Sequence, residues 1–134
     1  MSKNISRSTA RESAVVLVFM LGFGDNGDVD AAMQLACDCF EIKADSYTAE
    51  LVKCAADNKS DIDALIERFS KARRASRISH IAMAVMEVCL AEIKYKEIPV
   101  PIAINEAMEI VKKYDPESAA FVNGILNNAA KADG

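Results

Sequence analysis

Ile102-Ala103-Ile104-Asn105-Glu106-Ala107, then Lys112-Lys113-Tyr114, then Phe121-Val122-Asn123-Gly124-Ile125-Leu126 trace two helix-periodic runs separated by Asp115-Pro116-Glu117. In the first run Ile104, Met108 and Val111 form one apolar stripe; in the second the inward face is Phe121, Val122, Ile125, Leu126 and Ala129. Asp115 offers a cap, Pro116 a first residue with no N–H to lose, and Glu117 an acid at the positive end of the dipole. Glu109 precedes Lys113 by one helical turn, a spacing that predicts a surface ion pair.

The rest of the chain keeps the same rhythm. Thr9-x-x-Glu12 has the form of a capping box, and the helix it opens runs to about Leu21, where Gly22 and Gly24 stop it. Asp25-Asn26-Gly27-Asp28 is a turn cluster. Val29, Met33, Ala36, Cys37 and Phe40 mark the inward face of a second helix. A third begins around Asp45-Ser46, carries Leu51, Val52, Cys54 and Ala55, and ends at Asn58. Ser60-x-x-Asp63 opens a fourth with Ile62, Leu65, Ile66 and Phe69 inward. Ser79 caps a long apolar fifth helix that contains Glu92 and ends at Ile98-Pro99-Val100-Pro101. The expectation is an all-α protein of about seven helices, with no convincing strand and no internal repeat. It divides into two antiparallel helical subdomains, approximately 1–75 and 76–134, within a single domain.

Composition narrows the function classes. The 134 residues are 51% hydrophobic and 27% charged, enough to bury a core, and no apolar run reaches the ~18 residues of a membrane span. Ala14 to Phe23 is apolar, but Arg7, Arg11 and Glu12 precede it and no clear small-residue cleavage site follows, so it reads as a buried first helix of a cytoplasmic protein. Cys37, Cys39, Cys54 and Cys89, with His80 as the lone histidine, lack zinc-ligand spacing and read as reduced, mostly buried thiols. The acidic pairs Glu106 with Glu109 and Asp61 with Asp63 have no histidine partner, no phosphate loop and no metal spacing; no enzyme and no cofactor is expected. The net charge of −4 and pI near 5.0 exclude gripping nucleic acid by bulk charge.

The C-terminal helix pair resembles that of the NusB family, the RNA-binding transcription antitermination factors. Arg7-Ser8-Thr9-Ala10-Arg11-Glu12-Ser13-Ala14-Val15 is similar to the family's arginine-bearing first helix, though family members commonly have an unbroken arginine cluster there. The resemblance implies binding of boxA-type single-stranded RNA in nascent ribosomal RNA leaders. It also implies a heterodimer with NusE, the ribosomal small-subunit protein, inside an antitermination complex on RNA polymerase. A basic partner would supply the cations that this acidic chain lacks.

Carried onto this sequence, the resemblance puts Lys3, Arg7 and Arg11 on phosphates, the latter two on one side of a helix at their spacing of four. It puts the Ser118 to Phe121 region on bases, with Phe121 as a stacking ring, though its spacing with Val122, Ile125 and Leu126 equally suits packing. Ala119-Ala120 stand where relatives have a basic residue, and Phe19 stands where relatives often carry a tyrosine near RNA. Glu92 and Tyr95 fall on the expected partner face, with Ala91-Glu92 in place of the family's tyrosine-glutamate pair. Asn105 and Asn123 read as amides satisfying backbone groups where two helices cross, with Gly124 admitting a close neighbour. The basic stretch Arg68, Lys71, Arg73, Arg74, Arg77 suits either phosphate binding or a solvated hinge, and His80 is assigned no role.

Two other readings remain open. The fold is also compatible with a protein-interaction or homodimerising module that no longer reads RNA, favoured by the thinned basic edge. It is compatible, too, with a relative of the NusB-like accessory domain of some RNA methyltransferases, acting in trans.

Overall fold

In the computed structural model, which describes residues 5–22, 29–70 and 78–132, the described chain consists of seven α-helices and one short 3₁₀ turn. They are α1 (Arg7–Leu21), α2 (Val29–Phe40), α3 (Ser46–Asp57), α4 (Lys59–Phe69), α5 (His80–Tyr95), α6 (Val100–Tyr114) and α7 (Ala119–Lys131), with the 3₁₀ turn at Pro116–Ser118 before α7. No described helix is long and apolar enough to cross a membrane.

The packing centres on α5. Ala82 and every residue from Ala84 to Glu92 are buried, as expected of a helix that is apolar nearly all round and so must be covered on every side. Helices α1, α3 and α4 cover it from the N-terminal half, α6 and α7 from the C-terminal half. The core so formed includes Leu17, Met33, Leu51, Ile62, Ile66, Met86, Leu90 and Leu126. The junction between the two expected subdomains falls in the stretch 71–77, outside the described residues, together with Lys71, Arg73, Arg74 and Arg77.

The stop signals act where the sequence puts them. Gly22 takes the left-handed conformation (φ 61°) that costs glycine nothing, and its N–H bonds the Val18 carbonyl. Asp45 caps α3 in a reciprocal box with Thr48, and Ser79 caps α5 by accepting from the Ala82 N–H. Pro101 sits in the first turn of α6.

Several expectations are corrected. Helix α1 is capped by Ser6, not Thr9: the Ser6 hydroxyl accepts from the Thr9 N–H at 3.0 Å, and Thr9 lies inside the first turn. Glu12 is thereby freed to reach across to α6, where it accepts from Lys113 Nζ (2.6 Å) and the Tyr114 hydroxyl (2.5 Å). Lys113 thus pairs with Glu12 from α1, not with Glu109 one turn before it. Helix α4 starts at Lys59, and neither Ser60 nor Asn58 makes a side-chain cap bond. Phe40, expected inward, is 66% exposed at the end of α2. Of the thiols only Cys89 is buried, and Cys39 is exposed.

Asn105, Asn123 and Gly124 do not sit at a crossing. All three are exposed, a Cβ on Gly124 would meet nothing within 4 Å, and Asn123 accepts from its neighbour Asn127 one turn on. The apolar positions between them, Val122, Ile125 and Leu126, make the helix contact instead.

Candidate nucleic-acid interface

Two acids lie on the buried helix α5, and each must be matched by a cation or carry a proton because an isolated buried carboxylate is prohibitively costly. Glu92, 1% exposed, is matched by Arg11 of α1, 7% exposed. Arg11 Nε donates to both carboxylate oxygens of Glu92, at 2.9 and 2.8 Å, and Nη1 lies 3.7 Å from Glu106 of α6. The Tyr47 hydroxyl of α3 completes the shell, donating to Glu92 Oε2 at 2.5 Å. Burial works against the Arg11 charge, but the hydrogen bond and charge of Glu92 outweigh it and hold the guanidinium above its ordinary value. Burial and the same carboxylate push the Tyr47 phenol up to about 12.

Arg7 lies one turn earlier and meets different surroundings. It is exposed, and its guanidinium sits over the Tyr47 ring, 3.8 Å from the centroid. Arg7 and Arg11 therefore share a side of α1, as their spacing requires, but only Arg7 faces solvent. Arg11 has no free charge to offer a phosphate, because α5 and α6 close over it and Glu92 neutralises it. Lys3 lies outside the described residues.

At the other end of α1 a second group assembles. Asp115 accepts from Ser79 Oγ (2.6 Å), which caps α5, and from Ser118 Oγ (2.7 Å), which leads into α7. These two bonds hold the N-terminal ends of α5 and α7 together, and they draw the Asp115 carboxyl below its usual range. The Ser118 hydroxyl proton, expected to be available to a base, is engaged by Asp115. Phe121 follows in the first turn of α7, half-buried against the core. Phe19, 47% exposed, and His80 line one open pocket of about 220 Å³, with Val18, Met83, Lys59 and Glu87.

Glu87 is the second buried acid of α5. Lys59 Nζ bridges it (3.2 Å) to Asp63 (2.6 Å), while Asp63 Oδ1 is buried without a fixed donor. One cation between two carboxyls favours a proton on Glu87, which then supplies the donor that Asp63 lacks. Burial, reinforced by Asp63, pushes the Glu87 carboxyl up to about 8. Because the folded protein binds this proton more tightly than the unfolded chain, the contribution to stability is complete below pH 4.5, the ordinary value. It is lost as pH rises toward about 8. Thermal unfolding of wild type and Glu87→Gln across that range is expected to show a Tm that falls with pH in the wild type and a flatter profile in the variant. Parallel profiles would place the proton elsewhere.

The arrangement contains no assembled catalytic constellation among the described residues; it is a surface with a cation over an aromatic ring at one end and two aromatic rings at the other. The NusB family model matches residues 8–131, nearly the whole chain. The chain belongs to the NusB family. It is 32% identical to the transcription antitermination protein NusB of Agathobacter rectalis, over 91% of this chain and 97% of that one. To the NusB of Bacillus mycoides it is 35% identical, over 92% and 96%. Its fold matches a chain of a crystal structure of antitermination factors NusB and NusE in complex with dsRNA, with a TM-score of 0.78 and 23% identity over 95% of this chain and 97% of that chain.

The positions expected to face a partner separate in the NusB fold. Glu92 is sealed against Arg11 and Tyr47 and no partner can reach it. Tyr95, one turn on and 44% exposed, lines a groove of about 540 Å³ between α4 and α5 with Asp61, Ala64, Leu65, Arg68 and Lys94.

Sequence reasoning missed Tyr47, which no local motif connects to Arg7 or Glu92. The available signal was Glu92 itself: an acid on a helix that, Glu87 apart, is apolar nearly all round calls for a cation from another element, and Arg11 is the arginine set deeper into the apolar first helix.

Proposed function

We propose that this chain is a transcription antitermination factor that binds boxA-type single-stranded RNA of ribosomal RNA leaders together with NusE. The observation that carries the reading is the family membership over nearly the whole chain, joined to a surface that keeps a solvent-facing arginine, the exposed Phe19 ring and the half-buried Phe121 ring despite the acidic total. Arg7 supplies phosphate contact, and Phe121 and Phe19 supply faces for unstacked bases. Arg7 and Phe19 are twelve residues apart on α1, about 18 Å along its axis, so one strand touching both runs the length of that helix. Arg11 acts from inside, fixing α1 on α5 and α6.

The groove around Tyr95 is the proposed NusE surface, lined by Asp61 and Arg68 of α4 and by Lys94 of α5, whose ammonium donates to the Ala130 and Ala132 carbonyls at the end of α7. A NusE that docks there adds its own positive charge to the complex, which explains how a chain of net charge −4 takes part in RNA binding. The complex in turn acts on RNA polymerase.

A second reading has one observation of its own: Leu35 (65% exposed) and Phe40 are bare apolar side chains on α2, available for self-association. Sedimentation of the chain with NusE and a boxA RNA separates the two. A single ternary species is expected. A concentration-dependent dimer that excludes both NusE and RNA would establish the interaction module instead.

A further inference from the structure

Three elements meet at the Tyr47 ring. Its hydroxyl is fixed by Glu92 in the core and the residue is buried, so the ring is a rigid platform at the foot of α1. Arg7 stands over it at 3.8 Å, and the ammonium of Lys96, the residue that closes α5, lies 5.6 Å from the same centroid. Two cations from different helices are thereby gathered at one aromatic ring, where the π-face offsets part of their mutual repulsion. Stacking uses the face of the Arg7 guanidinium and leaves its in-plane N–H groups open, the geometry a phosphate requires.

The two cations differ in their competitors. No described carboxylate pairs with Arg7. Lys96 contacts Glu50 Oε1 at 2.6 Å, but Glu50 is on the surface with a side chain 56% exposed, and such pairs hold weakly. An incoming phosphodiester with a full charge and additional donors can take Lys96 from Glu50.

We propose that Arg7 and Lys96, seated on Tyr47, form a clamp for one RNA phosphodiester, and that Lys96 provides the second cation that Arg11, buried with Glu92, cannot. This rests on the RNA-binding reading. It adds a residue from the end of α5 that no local sequence motif connects to α1, and it makes Tyr47 a positioning residue: its ring holds the cations without touching RNA.

The test is a titration of labelled boxA-type RNA against the chain with NusE from 50 to 200 mM salt, for wild type, Lys96→Gln, Arg7→Gln, the double variant, Tyr47→Phe and Glu50→Gln. Each single cation loss is expected to weaken binding at low salt and to reduce the slope of log affinity against log salt by about 0.7, and the double variant by about 1.4. Over that fourfold salt range a slope change of 0.7 narrows the gap between variant and wild type roughly 2.6-fold. Tyr47→Phe keeps the ring and is expected to keep the slope; Glu50→Gln, which frees Lys96, is expected to bind more tightly. A Lys96→Gln slope equal to wild type, in a protein that still binds RNA and melts normally, overturns the clamp and leaves the RNA reading standing. Absence of wild-type binding at every salt overturns both.

Discussion

Arg11→Ala is expected to cost about 3–5 kcal/mol of stability, a large fraction of what a domain of this size holds, and to lower Tm by roughly 10–20 °C. The cause is what remains behind. With the guanidinium gone, Glu92 is left 1% exposed with only the Tyr47 hydroxyl as donor, and it must take up a proton or open the junction of α1, α5 and α6 to water. Arg11→Lys is expected to fall in between, keeping a charge but losing the planar donor that spans both oxygens. The informative companion is the triple replacement Arg11→Met, Glu92→Leu, Tyr47→Phe. Removing the charges and the phenol together removes the unpaired group, so most of the lost stability is expected to return. Chemical denaturation of the three proteins measures this; an Arg11→Ala variant within about 1 kcal/mol of wild type would show that the pair contributes no more than a surface bridge.

Phe121→Ala is expected to weaken boxA RNA binding, in the presence of NusE, by about 1–3 kcal/mol, roughly five- to 150-fold, the range of one lost base stack. Phe121 is also half-buried against the core, so alanine costs some packing as well. Phe121→Leu separates the two effects, keeping apolar volume while removing the π-face. The stacking role predicts that leucine rescues Tm but not RNA affinity. If leucine restores both, the ring is a packing residue and the bases are held elsewhere.

What could be read in the chain follows the locality of the signals. Pro99-Val100-Pro101, Ser79 and Gly22 each act on the backbone beside them, so the start of α5, the start of α6 and the end of α1 were legible from a single sequence. Asp115, expected as the side-chain cap of α7, makes no cap bond and instead accepts from Ser79 and Ser118, with Pro116 opening the 3₁₀ turn ahead of α7. Where two local solutions compete, pattern fails: Ser6 and Thr9 are both hydroxyls at the head of α1, and only the packed structure selects Ser6. Periodicity placed Arg7 and Arg11 on one side of α1 correctly, but not at different depths beneath α5 and α6. That depth decides which arginine meets water and which meets Glu92. The same blindness made Glu92 a partner residue, Gly124 a crossing glycine and Lys113 the partner of Glu109. For Glu92 and Lys113 the deciding contact comes from an element dozens of residues away, and Gly124 turns out to face no neighbour at all.

The proposed division of labour is that Arg7 contacts RNA, Arg11 holds the fold, and NusE supplies the charge the chain lacks. The most direct test is fluorescence anisotropy of a labelled boxA RNA titrated with the folded wild-type chain, alone and with the NusE of the same species, at low and moderate salt. Weak binding alone, and tight, salt-sensitive binding with NusE, is the predicted result. Failure to bind in either case, with NusE shown to be folded, would contradict it and leave a NusB fold put to another use.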